Sequence, residues 1–139
     1  MDELTVVTLS PAHEDDRGAI VDLLDGEEVR HVGLITCQPD AVRGNHYHER
    51  QKQWLYVLDG SIDLYLEDLR ECDPEVRRVE MRAGALIYVP PRVAHAVVAR
   101  EPSRLLDFND LERGEDGAGY ERDTVRLDDS LVDRDASSE

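Results

Sequence analysis

Lysine is almost missing from this chain. Lys52 is the only one, and 16 basic residues stand against 32 acidic ones, a net charge of -16. A surface so negative repels nucleic acid and anionic membranes, which excludes both as partners. It is the balance found in proteins of halophiles, where salt screens the self-repulsion. Long apolar runs are also lacking: no stretch reaches the ~18 residues a membrane-spanning helix needs. Met1-Asp-Glu-Leu-Thr-Val-Val has neither the basic start nor the apolar core of a signal peptide, so the cytoplasm is the expected location. The two cysteines, Cys37 and Cys72, form no metal or redox spacing, and no disulfide is expected between them. No segment of about ten residues keeps a helical apolar period, which leaves strands to build the core.

Short strand patterns fill the chain instead. Leu4 to Leu9, Ala19 to Leu24, Val29 to Gln38, Val42 to His48 and Gln53 to Leu58 read as strands in order. Ser61 to Asp68 alternates strictly, with Ile62, Leu64 and Leu66 against Asp63, Tyr65 and Glu67. Val76 to Met81, Leu86 to Val89, His95 to Ala99 and Leu105 to Phe108 follow, and Tyr120 to Leu127 suits one edge strand. Asp59-Gly60 is a hairpin turn signal, and Pro90-Pro91 stops a strand because proline cannot donate to a sheet. At 139 residues these strands fit a single all-β domain of barrel or jelly-roll type. Residues 1–127 are expected in the barrel, and 128–139 are expected to form a disordered acidic tail.

Within this pattern one stretch carries chemistry. His46 and His48 are two residues apart, so a strand puts both rings on one face, and Gln53 follows on the next strand. Gly84, Pro90 and His95 add a glycine turn, a rigid corner and a third imidazole. Such a cluster serves either to hold a metal or to move protons. Three neutral imidazoles suit Zn, Fe, Ni or Mn, with Gln53 offering only a neutral carbonyl as fourth ligand. Without metal, a histidine of ordinary pKa near 6.5 is a competent base at neutral pH. Arg43 either pairs with a surface carboxylate or grips a ligand phosphate with its planar fork, and Arg17 and Arg92 are weaker versions of that idea. Tyr88 is either packed on its strand or a hydroxyl donor to the pocket. Tyr47, Trp54, Tyr56 and Leu58 fall on the strand faces opposite the histidines, where a partner subunit is the expected cover; this predicts a homodimer. His13 and His31 lie outside the cluster and are expected to be exposed or structural.

The two groups of residues resemble the paired motifs of the cupins, usually written G-x5-H-x-H-x3,4-E-x6-G and G-x5-P-x-G-x2-H-x3-N. His46, His48, Gln53 and Gly60 occupy the first, with glutamine where glutamate is usual and Asp40 in the place of the leading glycine. Gly84, Pro90 and His95 occupy the second, with Arg92 and Ala99 replacing its inner glycine and its asparagine. The run Arg43-Gly-Asn-His46-Tyr-His48 followed by Gln53 resembles the dTDP-4-oxo-6-deoxyglucose 3,4-ketoisomerases, which work without metal. Asp16-Arg17-Gly18 resembles the opening of the dTDP-4-dehydrorhamnose 3,5-epimerases. The resemblance implies a cupin barrel that isomerises or epimerises a nucleotide-linked deoxysugar without a cofactor, with His46, His48 and Arg43 catalytic and His48 favoured as base. The alternatives are a metal-dependent cupin, acting as an oxygenase or phosphosugar isomerase through His46, His48, Gln53 and His95, and a ligand-binding cupin without turnover.

Overall fold

The computed structural model of the chain describes residues 4–135. Its strands are β1 (Val7–Thr8), β2 (His13–Asp15), β3 (Gly18–Ile20), β4 (His31–Cys37), β5 (Val42–His48), β6 (Gln53–Asp59), β7 (Ser61–Asp68), β8 (Val76–Arg82), β9 (Ala85–Val89), β10 (Val93–Ala99), β11 (Ser103–Asn109) and β12 (Thr124–Arg126). Two short helices, α1 (Ala118–Asp123) and α2 (Leu131–Arg134), lie near the C-terminal end. Two five-stranded antiparallel sheets, ordered β1-β9-β6-β11-β4 and β12-β5-β10-β7-β8, enclose one core in the expected all-β jelly-roll arrangement, and β2 and β3 form a separate hairpin. Inward alternation supplies that core: Leu55 and Val57 from β6, Ile62, Leu64 and Leu66 from β7, Ile87 and Val89 from β9, and Leu105 from β11.

Turn chemistry holds the register where the strands reverse. Gly60 joins β6 to β7 with φ at 89°, and a Cβ there would lie 2.7 Å from Ser103 Cα, so both backbone conformation and space demand glycine. Two of the departures from the cupin pattern keep the backbone of the residue they replace. Asp40 and Arg92, both at glycine positions of the motifs, adopt φ of 66°. The bend survives the substitution, at the modest strain a non-glycine residue meets in the left-handed region.

The first strands are shorter than their apolar runs suggest. Of Leu4 to Leu9 only Val7–Thr8 pairs, while Leu4 and Val6 pack on the core. The run Ala19 to Leu24 enters no main sheet; Ile20 is 60% exposed on the β2–β3 hairpin.

The C-terminal segment departs furthest from expectation. Tyr120 to Leu127 is not one strand: α1 ends at Asp123, and only Thr124–Arg126 pairs, along β5. Residues 128–135, expected as disordered tail, are folded over the second sheet; 136–139 lie outside the described residues. Leu131 is fully buried against Tyr65, Ala94 and Ala96, the Ser130 side chain caps α2, and Arg134 forms an ion pair with Glu67. This explains why Tyr65 and Glu67, on the outward positions of an alternating strand, are both buried. Acidic composition obscured the segment because a single apolar anchor and one arginine suffice to dock it. Leu131→Ala is expected to cost about 2–5 kcal/mol of unfolding free energy, the usual range for truncating a fully buried leucine, measured by denaturant titration.

Candidate functional site

Strands β5 and β10 run antiparallel, with His95 directly opposite His46. A bulge between His95 and Ala96 and positive φ at Gly44 and Asn45 re-aim β5 just before its histidines. Gly44 allows the close approach: a Cβ there would meet the His95 carbonyl oxygen at 2.9 Å. The result is a triangle of imidazoles with ring centroids 4.8 Å apart for His46–His48, 4.8 Å for His46–His95 and 5.5 Å for His48–His95.

Hydrogen bonds fix the tautomers of two of them. His95 Nδ1 lies 3.0 Å from the Val93 carbonyl, which can only accept, so the proton is on Nδ1. The Thr124 hydroxyl donates to the Tyr120 carbonyl at 2.6 Å and therefore accepts from His48 Nδ1–H at 3.2 Å. Both residues thus turn an unprotonated Nε2 toward the interior, and neither Nε2 has a hydrogen-bond partner in the structure. Burial keeps the whole group neutral. It pushes His46 down to about 2, with His95, His48 and Arg126 adding to the effect, and His48 down to about 3, with His95 and Arg113 adding. His95 is also lowered by burial, against the opposing pull of its Val93 hydrogen bond and of Asp107.

Gln53 is buried at an inward position of β6. Its Nε2 donates to Asp107 Oδ1 at 2.8 Å, leaving Oε1 buried without a partner. The three neutral imidazoles, whose ligand atoms lie within 4.8 Å of one another, form a donor set that fits a divalent transition ion. Among the described residues no carboxylate joins the three histidines, and the Asp107 oxygens accept hydrogen bonds from Gln53 and from Asn109 Nδ2.

The side chains expected to bind ligand have other partners, although the Arg92 backbone N–H donates to the His48 carbonyl at 2.8 Å. Arg43 donates to the Thr36 carbonyl at 3.0 and 3.1 Å. Arg92 pairs with Glu49 at 3.0 Å and lies over the Tyr47 ring, on the outer face. Tyr88 occupies an outward position of β9 and stacks on Trp54 with centroids 5.2 Å apart. Arg17 pairs with Asp15 on the β2–β3 hairpin. Tyr47 also separates from Trp54, Tyr56 and Leu58, since it belongs to the second sheet, beneath the C-terminal segment.

Other residues take the places around the imidazoles. Tyr120, on α1, sets its ring 5.5 Å from His48 and 6.3 Å from His46, and Arg113 stacks on that ring at 4.1 Å. Arg126 lies opposite His46 on β12, where Glu121 holds its guanidinium through two hydrogen bonds of 3.0 Å. These come from a segment whose path over the barrel no local pattern announces. Asp107 did carry a signal: it is a lone acid in Leu105-Leu-Asp-Phe108, at the inward position of an apolar strand. His31 is half-buried and structural, donating Nδ1–H to Asn109 Oδ1.

Comparison with known proteins agrees with this architecture. The Cupin domain model matches residues 33–109, more than half of the chain. The spore coat polysaccharide biosynthesis protein SpsL of Bacillus subtilis (strain 168) is 26% identical over 132 residues, covering 86% of each chain. A 3,4-ketoisomerase from Helicobacter canadensis superposes with a TM-score of 0.72 at 19% identity, over 94% of this chain and 96% of that one. QdtA, a sugar 3,4-ketoisomerase from Thermoanaerobacterium thermosaccharolyticum in complex with TDP, gives 0.71 at 20% identity, over 97% and 96%. The dTDP-4-dehydrorhamnose 3,5-epimerase from Sulfolobus tokodaii gives 0.68 at 18%, over 83% and 72%. At such identities the likeness to these solved structures is one of fold.

Proposed function

This chain belongs to the cupin domain family, and from that premise we propose that it isomerises or epimerises a nucleotide-linked deoxysugar by proton transfer. The observation that carries the reading is His48 Nε2, a buried lone pair without a partner, its tautomer set by Thr124. The chemistry removes a proton from the carbon beside the sugar's keto group and returns one to a carbon or oxygen of the resulting enediolate. His48 takes the first proton on Nε2. Arg113, stacked on the Tyr120 ring that neighbours His48, offsets the negative charge that develops on oxygen. His48 holds a proton weakly because burial and neighbouring positive charge oppose it. A bound anion raises that affinity toward the range a general base needs.

The fold relatives that act on dTDP sugars, and SpsL with its part in polysaccharide biosynthesis, support the substrate class. Incubation with a 4-keto-6-deoxy nucleotide sugar in heavy water tests it. Deuterium is expected at the carbon beside the carbonyl, and tight binding without exchange would reduce the chain to a ligand-binding cupin.

The same orphaned Nε2 atoms favour a second reading. A divalent ion would be held by His46, His48 and His95 with Gln53 Oε1, and would supply Lewis-acid polarisation of a substrate oxygen. The two readings exclude each other at one atom, since the His48 lone pair cannot both bind metal and accept the proton. Metal analysis of protein purified without chelator separates them.

The reading includes a homodimer. The outer face of the first sheet carries Val7, Leu86, Tyr88, Trp54, Tyr56, Leu58, Leu106, Phe108, Leu34 and Val32 across its paired strands. Val32 and Leu34 are each 57% exposed. The outer face of the second sheet, by contrast, is covered by the chain's own C-terminal segment. Exposed apolar side chains spread across one sheet face in this way suit an interface between copies, so a second copy is its proposed cover. Leu34→Glu is expected to weaken dimerisation at least tenfold, seen as a monomer by light scattering at micromolar concentration. A wild-type monomer at those concentrations refutes the proposal.

A further inference from the structure

The glutamine that departs from the cupin pattern is held in one orientation by a run of hydrogen bonds whose sense is determined throughout. An ionised carboxylate only accepts and a guanidinium only donates. Arg113 Nε–H donates to His31 Nε2 at 3.3 Å, His31 Nδ1–H to Asn109 Oδ1 at 2.9 Å, and Asn109 Nδ2–H to Asp107 Oδ2 at 3.0 Å. From the other side, Gln53 Nε2–H donates to Asp107 Oδ1 at 2.8 Å. Asp107, 4% exposed, is where both halves end. Rotating the Gln53 amide would set its oxygen against that carboxylate, so Oε1 is committed to the barrel interior, where it has neither a protein partner nor water-exposed surface. A buried acceptor left open this way is a place for a donor from outside the chain.

We infer that Gln53 Oε1 receives a hydroxyl group of the bound sugar, and that Asp107 is its positioning residue. The inference rests on the nucleotide-sugar reading above and orients the substrate within it. An acceptor-only wall suits hydroxyls and repels phosphate. The sugar therefore faces Gln53, and the diphosphate lies away from it. The same arrangement explains the amide itself. A glutamate at position 53 would face the Asp107 carboxylate at hydrogen-bond distance, and the two would share a proton rather than form an anionic ligand.

Titration calorimetry with TDP-4-keto-6-deoxyglucose and with TDP tests this. Gln53→Leu and Asp107→Asn are each expected to weaken the nucleotide sugar roughly 10–100-fold, the effect of losing a buried hydrogen bond, with TDP affinity within about twofold of wild type. The exchanged pair Gln53→Glu with Asp107→Asn restores both the internal hydrogen bond and an inward acceptor, so it should recover most of the affinity, whereas Gln53→Glu alone should not. Equal losses for both ligands, unchanged sugar binding in Gln53→Leu, or no rescue by the exchanged pair would overturn the inference. If wild type binds neither compound, the nucleotide-sugar reading falls instead. Gln53 is then judged in the ligand-free protein by NMR. Slow solvent exchange of its side-chain amide protons, lost in Asp107→Asn, supports the fixed orientation, and fast exchange in wild type refutes it.

Discussion

His48→Asn is expected to lower deuterium incorporation into a 4-keto nucleotide sugar by about 10²–10⁴-fold, the usual contribution of a general base. Asparagine keeps a polar group of similar reach opposite Thr124 but has no basic nitrogen, so substrate affinity should change far less than rate. Thr124→Val should lie between, because it removes the acceptor that holds the proton on His48 Nδ1 without removing the base. The pH profile separates this histidine from an ordinary one. With His48 lowered to about 3, kcat/KM for the free enzyme should show no inflection near 6.5. A limb centred at 6.5, or a His48→Asn variant that exchanges at the wild-type rate, would refute its assignment as base.

The same three histidines should make the fold sensitive to acid. In the folded chain His46, His48 and His95 stay neutral well below 6.5, whereas in the unfolded chain each takes up a proton near that value. The unfolded state therefore binds more protons between pH 6.5 and the folded values. Stability is complete above 6.5 and is lost as pH falls below it, at up to about 1.4 kcal/mol per pH unit for each fully buried imidazole. His48 and His95, both 3% exposed, together give a slope of about 3 kcal/mol per unit, so two units of acidification take away much of a typical domain's stability. The carboxylates held low by arginine partners, Asp59, Asp68 and Glu80, act in the same direction but only below about pH 4. Denaturant titrations from pH 7.5 to 4.5 measure the slope, and His95→Gln should reduce it by about one proton. Stability constant down to pH 5 would mean that the imidazoles are solvated.

Both predictions depend on features that the sequence discloses unevenly. Alternation in Ser61 to Asp68 is enough to identify β7 and its inward leucines, because a strand's side-chain period is a local property. Turn chemistry is equally local, which is why Asp59-Gly60 and Pro90-Pro91 mark strand ends that the structure keeps. Arginine roles are not local. Arg43 sits next to the histidines in sequence, yet the bulge at Gly44 and Asn45 and the Thr36 carbonyl hold it away from them. Arg113 and Arg126, far along the chain from His46 and His48, are brought to their side of the barrel by α1 and β12.

The sequence by itself therefore determined the barrel, its inward apolar positions, and the meeting of His46, His48 and His95 on neighbouring strands. Strand period and turn residues dictate where such side chains point. Only the tertiary structure decided the state of that cluster. Thr124 and the Val93 carbonyl choose the tautomers, Asp107 chooses which end of Gln53 faces inward, and the C-terminal segment seals the second sheet through Leu131 and Arg134. Those choices are made by partners distant in sequence, and a proton position or an amide orientation is fixed only by the group standing opposite it.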